Sequence, residues 1–174
     1  MIAHIRETWN VDDLLTKIAD EVRGALPKLK EKCATNQILA SQLSFIETSI
    51  EHFQKADYIS SISVLYPRLE GIMRAHHLLL SRPNTKASQG NLADSLISVG
   101  AGSRHSLSLL LPDRFREFLA EVYFKDFNPT CPGGISRHTV SHGVAPSTDY
   151  NLKGAILGFL ILDQISFFLG SSRT

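Results

Sequence analysis

Ile135-Ser136-Arg137-His138-Thr139-Val140-Ser141-His142-Gly143 stands between a Pro/Gly-rich turn, Asn128 to Gly134, and the most apolar segment of the chain. It brings one arginine and two histidines, Arg137, His138 and His142, within six residues. At about 100° per residue, His138 and His142 lie about 40° apart on one helical face, whereas Arg137 and His142 lie about 140° apart. Either Arg137 reaches round the helix, or the helix ends there. Gly143 suits the second course, because a glycine just past the last turn takes the left-handed C′ conformation. A two-fold dimer is a further solution, since it would bring a second copy of each residue into one cleft.

The segments on either side are read from their periodicity. Ala145 to Asp149 is a loop and cap, and Tyr150 to Leu169 is a helix ended by Gly170. That helix is apolar nearly all round, as the centre of a bundle or a dimer face is, and Gly154 and Gly158 would let another helix approach closely. It carries Asp163 and Gln164, and no apolar run reaches transmembrane length, so it reads as a buried helix of a soluble protein.

Upstream, Pro112 opens a helix carrying Phe115, Phe118, Leu119 and Val122 along one face. Ser81 to Ser108 is broken by proline, asparagine and glycine into a loop region, with a short helix over Leu92 to Val99 capped by Asn91. Arg104 and His105 at its end are an exposed pair or a phosphate contact.

A helix from near Asp57 to Leu80 carries Tyr58, Ile62, Leu65, Leu69, Ile72 and Leu79. Pro67 in its middle implies a kink or the meeting of two helices. Before it, Asn36 to Lys55 has Leu39, Leu43, Ile46, Ile50 and Phe53 on one stripe, with His52 at the surface. The first helix is capped by Asn10 and carries Val11, Leu14, Leu15, Ile18, Val22 and Leu26, and Pro27 is expected to kink or end it.

No strand pattern or internal repeat is present, so the expected fold is an all-α, irregular up-and-down helical bundle of about five main helices. With 174 residues, 43% of them hydrophobic, the chain fits one compact domain. Its net charge of +1 excludes a global basic field, so any nucleic-acid site must be a local patch. Cys33 and Cys131 stand far apart in no metal-like pair, which points to a reduced, cytoplasmic setting. The polar N-terminus does not read as a signal peptide.

The Arg137-His138-x-x-x-His142-Gly143 pattern resembles the ribonuclease motif of the HEPN superfamily, an arginine followed four to six residues later by histidine, with a polar residue next to the arginine. The segment Leu65 to Arg74 likewise resembles the early helix of HEPN-like domains, in which an acidic residue is closely followed by a basic one near the motif. The resemblance spans roughly Gln42 to Leu169. It implies an N-terminal helical extension over 1–35 and a HEPN-like domain over 36–174.

It also implies a metal-independent endoribonuclease acting in defence, abortive infection, stress response or a toxin–antitoxin pair. His142 would be the acid/base, Arg137 the phosphate stabiliser, and His138 a positioning or second proton-transfer residue. Histidine titrates near neutrality and arginine offers a planar fork of donors, which suits both to these tasks. Glu70, Arg74, Tyr150 and Lys153 are supporting candidates, although Glu70 and Arg74 also form an ordinary i, i+4 pair worth about 0.3–0.5 kcal/mol. His76 or His77 could line the site, the other lying at the surface. The implied partners are an RNA substrate, a second copy of the chain and an inhibitory antitoxin, with no membrane and no cofactor.

Two other readings stand beside it. The same fold could serve as a non-catalytic helical interaction module, with the Arg/His unit wiring the core. Alternatively His138 and His142, at i and i+4, could share a metal ion, though without the glutamate of a His-Glu-x-x-His protease.

Overall fold

A computed structural model describes residues 11–80, 87–100, 111–128, 130–131 and 133–170. Among these the chain is all-α, with eight helices, one π turn, one 3₁₀ turn, no strand, and an isolated bridge between Asn128 and Cys131. The expected Asn10 cap, the Arg104–His105 pair and much of the loop region lie outside the described residues.

Helix α1 (Val11–Thr35) places Ala19, Val22, Leu26, Leu29 and Cys33 on one buried stripe at alternating steps of three and four. Pro27 does not end it. The proline sits on the exposed side, where the carbonyl it leaves without a donor can turn to water. The stripe joins the same buried cluster as the later helices, so α1 is part of the core the candidate site rests on. Lys32 reaches Asp163 at 2.9 Å and Lys30 reaches Glu47 at 2.7 Å, so two lysines near its end tie α1 to its neighbours.

The single helix expected over residues 36–55 is two, α2 (Gln37–Ala40) and α3 (Leu43–Gln54). Asn36 caps α2 by accepting from Ile38 N and Leu39 N. At the break, Ser41 Oγ donates back to the Ile38 carbonyl at 2.7 Å, the local bonding by which serine competes with a continuing helix. His52 is not a bare surface residue, because its Nδ1 meets Asp57 Oδ2 at 2.9 Å. Asp57 in turn accepts from Ser60 N and holds the start of α4.

Helix α4 (Tyr58–Leu80) runs unbroken through Pro67 and buries Ile62, Leu65, Tyr66, Leu69, Ile72 and Met73. It is the central element, flanked by α3, α5 (Gln89–Gly100), α7 (Arg137–Ser141) and α8 (Leu152–Gly170). Helix α5 is longer than expected, and Ser88 rather than Asn91 stands at its start, with Ser88 Oγ accepting from Asn91 N at 3.2 Å.

Helix α6 (Leu111–Phe118), with Pro112 in its first turn, passes into a π turn over Leu119–Tyr123. Widening to a π turn there brings Tyr123 inward. In α8 the expected close approach is present. A Cβ on Gly158 would stand 3.0 Å from the Leu65 and Tyr66 side chains, and one on Gly154 would stand 2.9 Å from the Asp149 carbonyl oxygen. Helix α8 is long and apolar enough to cross a membrane, and most of it is buried within the bundle.

Candidate active site at the Arg/His helix

Helix α7 has five residues, too few to be stable alone, so its placement comes from its caps and its buried side. Ser136 Oγ accepts from Thr139 N at 3.2 Å, and Thr139 Oγ1 accepts from Ser136 N at 2.9 Å. This reciprocal capping box is buried, with Ser136, Thr139 and Val140 all turned inward. At the far end Gly143 adopts φ +68°, and the Val144 and Ala145 N–H groups close on the Thr139 carbonyl. The helix therefore ends at His142, the second of the two courses open from sequence. The side left outward carries Arg137, His138 and His142.

Packing α7 on α4 sets Arg137 against Glu70. The Glu70 carboxylate is buried and divided between two arginines: Arg74 Nε and Nη2 reach Oε1 at 2.6 Å, and Arg137 Nε meets Oε2. A buried carboxylate needs such partners. The i, i+4 pair read from sequence is thus one half of a three-residue cluster. With two arginines on one carboxylate the cluster carries a net positive charge, and Arg137, held through Nε, keeps its terminal nitrogens for something else. Its side chain is 24% exposed.

Beneath lies Tyr123, whose hydroxyl donates to the Tyr66 carbonyl at 2.7 Å, while the Tyr66 hydroxyl donates to the Gly154 carbonyl at 3.0 Å. Burial first, and then the Glu70 carboxylate, push the Tyr123 phenol well above the usual range. It therefore stays a donor and pins the floor of the cluster to α4 and α8.

The two histidines form the outer wall. Their rings are nearly parallel, 10° apart in plane with centroids 6.1 Å apart. Phe127 leans on His142, with ring centroids 5.5 Å apart. The His138 ring is mostly covered: its Nε2 meets the Gln89 side-chain amide and its Nδ1 lies 3.7 Å from Asp126 Oδ1. Arg74 also reaches the Ala87 carbonyl at 3.4 Å, so the start of α5 forms the third side.

The structure thus gathers Glu70, Arg74, Arg137, His138 and His142. Tyr150 and Lys153 are not drawn in: among the described residues neither side chain makes a hydrogen bond or ion pair with those five. Lys153 instead lines a shallow cleft beside Ile135, Asp149 and Asn151. His76 and His77 are both buried, against the expectation that one lies at the surface, and His77 Nδ1 meets Ser95 Oγ in the packing of α5 on α4.

Gln89, Tyr123, Asp126 and Phe127 were not singled out from sequence. Phe127 and Asp126 precede the Pro/Gly turn and carry no spacing that ties them to the motif. The metal reading gains no support, since both His138 ring nitrogens already face Gln89 and Asp126. No group of three or more His, Cys, Asp or Glu that could hold an ion is found among the described residues. Compared with known proteins, the chain matches no family model, no curated protein and no solved structure.

Proposed function

We propose that the protein is a HEPN-type, metal-independent endoribonuclease. The observation that carries this reading is the meeting, on α4 and α7, of the acidic–basic pair Glu70/Arg74 with the Arg137–His142 unit. Two stretches far apart in sequence, one resembling the HEPN motif and the other the early helix of HEPN-like domains, come together at one partly open cationic site.

In this reading RNA lies with its scissile phosphate against the terminal nitrogens of Arg137, which Glu70 orients by holding Nε. His142, exposed at the end of α7, draws the proton from the ribose 2′-hydroxyl. The 2′-oxygen attacks phosphorus, Arg137 offsets the charge that grows on the phosphorane oxygens, and the P–O5′ bond breaks as the 5′-oxygen receives the proton that His142 took. The products are a 2′,3′-cyclic phosphate and a 5′-hydroxyl, and no divalent ion takes part. A homodimer, a role in defence or stress response and restraint by an antitoxin follow from the resemblance, and a cytoplasmic setting from the two far-apart cysteines.

The test is cleavage of structured and unstructured RNA by the purified full chain in EDTA, with product ends identified. Wild-type cutting that leaves cyclic-phosphate ends and is abolished by Arg137→Ala and His142→Ala in folded protein is the expected result. Equal cutting by all three, or none, overturns the reading. One observation favours the alternative of a partner-binding helical module: Leu160 and Phe167, seven residues apart on α8, are 44% and 48% exposed. No cutting together with capture of a defined partner by that face would establish it.

A further inference from the structure

We propose that Gln89 is a positioning residue that fixes the His138 ring as its Nδ1–H tautomer, leaving proton transfer to His142 alone. The functional part of this inference rests on the nuclease reading, but the tautomer itself does not.

Gln89 is the first residue of α5, and its side-chain nitrogen faces Nε2 of His138. A carboxamide nitrogen only donates, so Nε2 accepts and the ring proton sits on Nδ1. That proton points toward Asp126 Oδ1, 3.7 Å away, and a carboxylate attracts an N–H and repels a bare lone pair. Two contacts from separate parts of the chain, α5 and the segment after the π turn, therefore select the same tautomer. Reversing the amide would put the proton on Nε2 and set the Nδ1 lone pair against Asp126, or else require a fully protonated ring.

The His138 side chain is only 13% exposed, so water competes little for either nitrogen. His138 then has no free lone pair to offer a 2′-hydroxyl. Its ring instead lies flat beside His142 and, with Phe127 on the other element, sets the orientation of the ring that is exposed.

Ring tautomers are read directly by long-range proton–nitrogen correlation NMR on the full chain labelled at histidine, at mildly alkaline pH. The expected result is an Nδ1–H ring for His138, the minor tautomer of a free histidine side chain. In Gln89→Leu, which keeps bulk and removes the donor, that ring shifts toward Nε2–H and kcat falls about tenfold with KM unchanged, as a lost orienting contact does. Asp126 is 94% exposed, so Asp126→Asn tests the other contact without threatening the fold, and it should weaken the Nδ1–H preference.

An Nε2–H ring in the wild type, or a tautomer unmoved by both substitutions, overturns the proposal. An Nδ1–H ring in a protein that does not cut RNA supports it and removes the nuclease reading. Cutting by a protein whose His138 is Nε2–H does the reverse.

Discussion

Helices α7 and α8 follow one another in the chain and are held in opposite ways. Helix α8 turns apolar side chains inward from nearly every side, among them Ile156, Phe159, Leu162 and Ile165, and at Gly154 and Gly158 its neighbours leave no room for a Cβ. Helix α7 buries only Thr139 and Val140, with its cap Ser136, and presents one arginine and two histidines. The first is placed by area removed from water, at roughly 25 cal/mol per Å² of apolar surface. The second is placed by a few directed hydrogen bonds and one buried carboxylate. Damage to α8 should therefore appear as lost stability, and damage to the outer face of α7 as lost chemistry.

Substitutions can break that division. The largest expected effect is His142→Ala, which should lower RNA cleavage by about 10²–10⁴-fold, the usual contribution of a positioned acid/base, while leaving the melting temperature nearly unchanged. Single-turnover rates beside a thermal melt check both halves. Glu70→Gln removes the charge that gathers Arg74 and Arg137, so it should cost both activity and about 1–3 kcal/mol of stability by denaturant titration, the loss being limited because the arginines are partly exposed. An effect on only one of the two would separate the cluster's structural role from its chemical one.

Gly154→Ala drives a Cβ to 2.9 Å from the Asp149 carbonyl, a backbone atom that cannot yield easily. It should cost about 1–3 kcal/mol and leave kcat of the folded fraction intact. Ser136→Ala opens the capping box, costs about 1 kcal/mol, and tests whether α7 fraying reaches the chemistry.

The smallest effect is the pH dependence of stability. Burial first, and then the neighbouring His77, lower the His76 pKa below 6.5. Between that lowered value and about 6.5 the unfolded chain binds a proton that the folded chain refuses. Stability should therefore fall as pH drops below about 6.5, and His76→Leu should flatten that fall in urea titrations across mildly acidic pH.

Much of this was legible in particular residues. The heptad-like stripe of α3, the glycines of α8 and the left-handed stop at Gly143 each follow from local rules, because periodicity and φ preference act over a few residues. Pro27 and Pro67 end neither helix, because a proline within a long helix is tolerated where packing on either side outweighs one lost hydrogen bond. The break at Ser41 went unseen because a serine bonding its own turn leaves no trace in hydrophobic spacing.

Sequence by itself determined the all-α class, the long apolar helix over its last residues and the Arg137–His142 unit, since these depend on residue types at short spacing. Only the tertiary structure decided that Glu70 is shared between Arg74 and Arg137, that Gln89 and Asp126 close on His138, and that Tyr150 and Lys153 stand apart. Such meetings depend on how α4, α5 and α7 pack, which is set by the buried surface of the whole bundle rather than by any local pattern.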